Sequence, residues 1–242
     1  MTIVRRIRSP RALRAGVLAT ALAASMLTAA PATAAPPTTC DGTLTGSYPR
    51  LVVGAGDVCV LDGASVGNAG VRVLPGGSLI TDDTEIAGIV HSRGAKTVQL
   101  IDTNVGHNIM VTNTVNRTII GSEGCRVDPV SGNNIMVKNN GGGVAICFMT
   151  IGNNLHVTGA QKNVGVFNNA VDNNIQLRAN TGAFGRLRDN VVDGHIQIFR
   201  NTSEHRLFRN SAGHQIMCRG NALVPTGSDN TGDLVDQRLG IG

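Results

Sequence analysis

A five-residue phrase recurs through this chain at a nearly constant spacing. Its copies are Gly-His-Asn-Ile-Met, Gly-Asn-Asn-Ile-Met, Gly-Asn-Asn-Leu-His, Asp-Asn-Asn-Ile-Gln, Asp-Gly-His-Ile-Gln and Gly-His-Gln-Ile-Met, beginning at Gly106, Gly132, Gly152, Asp172, Asp193 and Gly213. The apolar residue recurs at intervals of 20, 20, 21 and 20 residues, through Ile135, Leu155, Ile175, Ile196 and Ile216. Such a short fixed period is typical of a solenoid, in which each repeat forms one coil and buries its apolar face against its neighbours.

Apolar and polar residues alternate after each phrase, which predicts a half-buried strand. In one copy Ile175 and Leu177 would point inward, while Gln176 and Arg178 point outward. A second apolar pair about ten residues before each phrase predicts a second strand per coil, and the Asn, Gly, Asp and Thr between them favour tight turns. The sequence therefore predicts an all-β fold, a right-handed parallel β-helix of about eight coils with roughly 20 residues each.

Asparagine recurs in register with this pattern. Asn133, Asn153 and Asn173 occupy one position of the phrase, and Asn169 and Asn190 precede two of its copies. Equivalent residues of stacked coils lie about 4.8 Å apart, so their side-chain amides can bond to one another along the solenoid. We expect asparagine ladders.

The first 35 residues have the features of a secretory signal peptide. Five arginines precede an apolar run from residue 15 to 27 and an alanine-rich stretch ending near Ala35. The run is shorter than the roughly 20 residues that cross a bilayer, so we expect no transmembrane segment and a secreted protein, extracellular or associated with the cell wall. The predicted organisation is a leader at 1–35, an N-terminal cap at 36–60, the β-helix at 61–222 and a C-terminal cap at 223–242.

The formal charge of +5 comes from the leader. The chain has 21 Lys and Arg against 16 Asp and Glu, and removing the five leader arginines leaves 16 against 16. Residues 176–220 still carry seven arginines and three acids. This basic segment could meet an acidic polymer, although arginines at this density also serve simply as solvated surface.

Aromatic residues are scarce, with no Trp, one Tyr and five Phe. The chain thus lacks the stacking platforms of most surfaces that bind single-stranded nucleic acid, and we expect no nucleic-acid partner.

Five cysteines follow the leader, in what would be an oxidising compartment. We expect a disulfide between Cys40 and Cys59 in the N-terminal cap and another between Cys125 and Cys147 across the longest insertion of the repeat. Cys218 is then left as a free thiol, at a core position of its coil. No Cys or His spacing suggests a zinc site, so no metal is assigned.

Two acidic residues form the sharpest catalytic hypothesis. Asp172 and Asp193 occupy the same column in adjacent coils, where stacking places their backbones about 5 Å apart. Two cooperating carboxylates or a shared calcium ion would suit that spacing, with Arg178 abstracting a proton or steadying charge. The alternative is that both aspartates are turn residues, since glycine fills the column elsewhere. No other cofactor is expected.

A second hypothesis places a binding face on the outward columns beside the phrase. A flat sheet face carrying sulfur, amide and cationic groups could bind an extended polymer or a partner protein, although it could equally be ordinary solvent-facing sheet. Its members are Met110, Met136, His156, Gln176, Gln197 and Met217 in one column, with Lys138, Phe199 and Arg219 in the next.

The chain resembles small secreted right-handed β-helix proteins of actinobacteria. The likeness covers residues 40 to about 230: the segments that carry it are the Cys40 and Cys59 cap, GASVGNAGVRVLPGGSL from Gly63, and IMCRGNALVPTGSDN from Ile216. In those proteins a cysteine at the extreme C-terminus commonly pairs with the residue matching Cys218. This chain ends without one, so the resemblance implies an unpaired thiol here. Pectate lyases, pectin lyases and polygalacturonases share the wider fold only, and fold does not decide function.

These patterns favour a non-enzymatic, monomeric, secreted scaffold that binds a polysaccharide or a protein at the cell envelope. One alternative is a polysaccharide lyase or glycoside hydrolase acting on an acidic polysaccharide, and another is a self-assembling extracellular structural protein. Phosphate-loop, dinucleotide-binding, serine-hydrolase and zinc-protease motifs are all absent from the sequence.

Overall fold

Each strand of the molecule pairs in parallel with the strand about 20 residues before it and the strand about 20 residues after it. The computed structural model describes residues 36–122 and 129–235, and these contain 27 β-strands and no helix. The described residues thus contain no helix able to cross a membrane. The predicted parallel β-helix is confirmed. The predicted leader and Cys125 lie outside the described residues.

The coil has three faces, each a parallel sheet. The first face contains Thr38–Thr39, Leu51–Val53, Val71–Val73, Val90–Arg93, Ile109–Thr112, Ile135–Lys138, Leu155–Thr158, Ile175–Arg178 and Ile196–Phe199. The second contains Ser78–Asp82, Thr97–Ile101, Thr118–Gly121, Val144–Cys147, Val164–Phe167, Phe184–Arg188, Glu204–Phe208 and Thr226–Ser228. The third contains Glu85–Ile86, Asn104–Val105, Val130–Ser131, Thr150–Ile151, Ala170–Val171 and Val191–Val192. Four longer strands, Gly42–Tyr48, Val58–Val66, Ser211–Arg219 and Thr231–Val235, turn a corner and contribute to two faces each.

The third face was not predicted from the sequence. Its strands are mostly two residues long, such as Ala170–Val171, and two residues are too few to show an alternating pattern. The structure also has about nine turns of roughly 20 residues, where about eight coils were expected. Parallel pairing extends into both segments predicted as caps, because Gly42–Tyr48 pairs with Val58–Val66 and Thr226–Ser228 pairs with Glu204–Phe208.

The core is a set of stacked apolar columns, one or two from each face. On the first face the predicted inward positions are buried, for example Ile175 and Leu177, both with no exposed surface. Cys218 occupies the expected core column, in register with Ile198, and is 3% exposed. Stacking like side chains in this way removes apolar area from water at every coil, at roughly 25 cal/mol for each Å².

Two corners of the coil are built on residues with left-handed backbone conformation. Between the first and second faces this position is filled by Asn139, Gly159, Ala179 and Arg200 in successive coils, with φ between 51° and 67°. Between the second and third faces it is filled by Phe148, Asn168, Asp189, Arg209 and Asp229, with φ between 51° and 59°. A single left-handed residue reverses the direction of the chain sharply, and it brings the next side chain into the interior.

The residue after each left-handed position is often a buried asparagine, and these residues form ladders. At the corner between the second and third faces, Asn190 donates its amide to Asn210 Oδ1 at 2.8 Å and to the Val166 carbonyl at 2.9 Å. Its own Oδ1 accepts the backbone N–H and the side-chain amide of Asn169. A parallel ladder joins Asn180, Asn201 and Asn221 at the other corner. The predicted ladder of Asn133, Asn153 and Asn173 is also confirmed, at the surface.

The predicted disulfide between Cys40 and Cys59 is confirmed and joins the first two turns, with Cα atoms 5.2 Å apart. Both residues are fully buried. The bridge therefore ties the first strands, Thr38–Thr39 and Gly42–Tyr48, to the coil that follows. The second predicted bridge involves Cys125 and thus falls outside the described residues.

Replacing Asn190 by Leu should destabilise the solenoid by about 2–4 kcal/mol, because it leaves the buried Asn169 N–H without its partner and removes the amide bonds to Asn210 and Val166. Chemical denaturation measures the loss. The matched control is Asn173→Ala in the exposed ladder, where water replaces the lost bond and the cost should stay below about 1 kcal/mol. Equal costs at the two sites would show that burial of the ladder contributes nothing.

Candidate functional site

The predicted binding face occupies the outward positions of the first face. Strand register aligns its first column through Met110, Met136, His156, Gln176, Gln197 and Met217. The second column aligns Thr112, Lys138, Thr158, Arg178, Phe199 and Arg219. Both columns are therefore continuous, as the alternation predicted, and neighbouring side chains interact along them: Gln176 donates to Gln197 Oε1 at 2.7 Å.

A concave region lies at the C-terminal end of this face. Phe199 lies between Arg178 and Arg219 in the column, and together with Arg200 and Gly220 they line a cleft of about 440 Å³. Arg200 is the left-handed residue of its corner. The cleft thus places cationic side chains beside an aromatic ring at the edge of the face.

Of the predicted catalytic residues, the two aspartates lie in one column and Arg178 lies away from them. Asp172 and Asp193 occupy adjacent coils at the corner that leads into the first face, and both are exposed. Arg178 lies at the far end of the strand Ile175–Arg178, which alone spans about 10 Å. No salt bridge joins Arg178 to either aspartate in the part of the chain that the structure describes.

Glycine elsewhere in the aspartate column has a reason other than the expected one. Gly106, Gly132, Gly152 and Gly213 do not have left-handed backbone conformation. Instead the column packs closely against the coil before it: a Cβ at Gly132 would lie 2.1 Å from the Gly106 carbonyl oxygen. The column still lies at a bend of the chain, at the corner that leads into the first face, but its residues do not have the left-handed conformation found at the other two corners.

Two histidines meet close to Asp193. The ring centroids of His195 and His214 are 5.2 Å apart, and the backbone N–H of His195 donates to Asn174 Oδ1. Within residues 36–122 and 129–235, however, no group of three or more His, Cys, Asp or Glu side chains is placed to hold a metal ion. A calcium ion at the aspartate pair would thus have no third His, Cys, Asp or Glu side chain as a ligand among these residues.

The second face carries a group of side chains that sequence reasoning missed. We call it the Arg–Phe surface, and its members are Phe167, Phe184, Arg186, Arg188, Arg206 and Phe208. The guanidinium carbons of Arg186 and Arg206 lie 5.9 and 5.8 Å from the Phe184 ring centroid, one from the same strand and one from the next coil. Arg188 lies 5.8 Å from the Phe167 centroid. These distances are within the range of cation–π attraction.

Acidic residues neutralise this surface only in part. Glu204 accepts from Arg206 at 2.6 Å, and Asp189 contacts Arg188 at 3.1 Å and Arg209 at 2.7 Å. The hydrogen bonds from Arg209 lower the pKa of Asp189, which keeps that carboxylate ionised. Arg186 makes no salt bridge within the described residues. Arg188 and Arg206 remain 53% and 43% exposed, so guanidinium groups stay available to a ligand.

A trough runs from the Arg–Phe surface across the second face, with a volume of about 490 Å³. It crosses four coils, because register aligns Gly143, Asn163 and Phe184 in one outward column, and Ile119, Ala145, Gly165 and Arg186 in the next. The small residues of these columns form the floor. Arg117 closes one end, and Phe184 with Arg186 closes the other.

The sequence does contain a signal for this surface. Phe184-Gly-Arg-Leu-Arg and Glu204-His-Arg-Leu-Phe are both alternating segments, and aligning them places Arg186 on Arg206 and Arg188 on Phe208. The number of arginines in residues 176–220 does not show that two of them align, because the alignment depends on which strands lie side by side. The scarcity of aromatic residues was also misleading, because three of the five phenylalanines lie together on this face.

His205 lies in the core beneath the Arg–Phe surface. Its ring stacks on Gly185 of the preceding coil, where a Cβ would lie 2.4 Å from the ring. Nδ1 is 3.0 Å from the Ser203 carbonyl, whereas Nε2 is buried without a hydrogen-bond partner among the described residues. Burial lowers the pKa of His205 below its ordinary value.

Comparison of the chain with protein-family models, with curated proteins and with solved structures finds no match. The parallel β-solenoid is established by strand pairing itself. The resemblance to secreted actinobacterial β-helix proteins, and the more distant likeness to pectin lyases, stay predictions.

Acid should weaken the fold through His205. In the unfolded chain its imidazole titrates near pH 6.5, and below that pH the unfolded state takes up a proton that the folded state does not, so the free energy of unfolding falls. Burial lowers the pKa of His156 in the same direction. We expect the melting temperature of His205→Leu to fall less than that of the unaltered protein between about pH 7.5 and about pH 5.5.

The control is His156→Gln, which removes the more exposed of these two histidines. It should change the dependence of the melting temperature on pH less than His205→Leu does. If the melting temperature of His205→Leu falls with pH as steeply as that of the unaltered protein, His205 is not the cause of the acid effect, whatever the absolute stability of the variant.

Proposed function

We propose that the protein is a secreted, non-enzymatic β-helix scaffold that binds an acidic polysaccharide at the cell envelope through the Arg–Phe surface. The observation that carries the proposal is the alignment of Arg186 with Arg206 in adjacent coils, both over Phe184. Guanidinium groups bond carboxylates in a bidentate manner, and aromatic rings pack against the C–H faces of sugars. The combination suits a sugar polymer with carboxylate groups.

Like charges in register on a sheet normally repel. Among the described residues only Glu204 offsets the Arg186 and Arg206 pair directly, and it contacts Arg206 alone. A column that keeps two arginines adjacent gives up some stability of the free protein. A polyanion lying across the coils would remove that repulsion, which supports binding as the role of this surface.

The lyase or hydrolase alternative gains less support. Asp172 and Asp193 lie in one column, but Arg178 is at the far end of the strand, and both aspartates are open to solvent. Catalytic carboxylates need positioning within about 3 Å of the reacting atoms. The scaffold interpretation needs only side chains that repeat along the solenoid axis. Such columns are present on the outward sides of the first and second faces.

Replacing Arg186, Arg188 and Arg206 together by Gln should lower the affinity for polygalacturonate or alginate at least tenfold, because charge-assisted bonds and cation–π stacking are lost together. Affinity for a neutral glucan should be negligible before and after. Binding of the purified protein is measured by calorimetry at two ionic strengths, since salt should weaken it.

The matched control removes the same charge from the N-terminal coils, as Arg50→Gln, Arg72→Gln and Arg93→Gln. If both triple variants lose the same affinity, the effect comes from net charge, and binding does not depend on the Arg–Phe surface. A further variant, Met136→Asp with Lys138→Gln, alters the first face. If it loses affinity for the polymer while the triple arginine variant keeps its affinity, the ligand lies on the first face instead. No binding of any acidic polymer would refute the proposed function.

A further inference from the structure

We infer that the trough on the second face is the subsite that seats the polysaccharide backbone, with carboxylates bound at its two ends by Arg117 and Arg186. The inference rests on the proposed function and makes it specific. The ligand it selects is a stretch of uronate polymer about 14 Å long, lying along the solenoid axis, because the trough spans three intervals between coils.

The trough exists because side-chain size drops in the middle of two columns. One column proceeds from Arg117 through Gly143 and Asn163 to Phe184, and its neighbour from Ile119 through Ala145 and Gly165 to Arg186. Large side chains thus stand at both ends of a floor made of Gly143, Ala145 and Gly165, with Asn163 beside it. A floor this shallow and apolar fits the C–H face of a sugar ring.

The side wall is also built by the sequence. Phe167 follows Gly165 by two residues on the same side of the strand, and its ring leans over the glycine: a Cβ there would lie 2.5 Å from Phe167 Cε2. The absence of a side chain at Gly165 therefore lets the ring lie along the trough. Arg188 holds the ring from the next coil at 5.8 Å.

Polar groups at the ends give the trough its ligand preference. Asn163 Oδ1 accepts the Phe184 N–H at 3.2 Å, which directs the amide nitrogen of Asn163 away from the backbone and leaves it to donate to a hydroxyl. Arg117 and Arg186 are exposed, and neither forms a salt bridge in the described parts of the chain. Two uncompensated cations separated by an apolar floor complement a polymer with regularly spaced carboxylates.

Filling the floor tests this inference. Ala145→Phe adds a bulky, strand-compatible side chain in the middle of the trough and should lower the affinity for short galacturonate and mannuronate oligomers at least tenfold. The control is Gln99→Phe, an outward position of the same column two coils earlier, where affinity should stay within about twofold. Thermal melting checks that both variants fold.

A second blocking variant ensures that the test does not depend on whether Ala145→Phe folds. Gly143 is outside the left-handed region, and a Cβ there would meet only the Asn163 carbonyl at 3.7 Å, so Gly143→Phe should fold. Arg117→Gln should also weaken binding of acidic oligomers several-fold, whereas Arg93→Gln on the first face should not.

The outcomes separate this inference from the proposed function. If polymers bind the unaltered protein and both blocking variants bind the oligomers equally well, the trough is not the subsite, although the scaffold proposal stands. If neutral oligomers of the same length bind as tightly as acidic ones and lose affinity on blocking, the assigned ligand class is wrong. If acidic oligomers fail to bind where their polymers do, the subsite is also refuted.

Discussion

In-register stacking of parallel coils is the constraint on which this structure depends. Because each residue lies directly above its equivalent one coil earlier, any side chain that appears once in the repeat becomes a column when it recurs. Apolar columns then form the core, amide columns form ladders, and a cationic column forms the surface to which we assign binding. A buried residue that breaks its column must be accommodated by its neighbour, as Gly185 does for the ring of His205.

The same constraint explains what could be predicted. The columns of the first face were visible in the sequence because four-residue strands such as Ile175–Arg178 alternate clearly, and their register is as expected. The third face escaped prediction since strands of two residues carry no period. The trough also escaped, because it depends on the absence of side chains at Gly143 and Gly165, and on which strands lie side by side.

The sequence alone also did not show why glycine begins most copies of the repeated phrase. A turn position and a close backbone approach both favour glycine, and the sequence does not distinguish them. At Gly132 the carbonyl of Gly106 leaves no room for a Cβ, whereas the left-handed positions are held by residues as large as Arg200 and Arg209. Left-handed conformation therefore does not explain the glycines of this column, and Asp172 and Asp193 lie at the same bend with exposed side chains.

The Arg–Phe surface lies on the part of the second face that both asparagine ladders enclose. Asn180, Asn201 and Asn221 hold the corner before it, and the ladder from Asn169 to Asn230 holds the corner after it. Strands fixed at both ends cannot shift register, so Phe184, Arg186 and Arg206 are positioned before a ligand arrives. The polymer binding that we propose would then cost less conformational entropy than binding that has to order a loop.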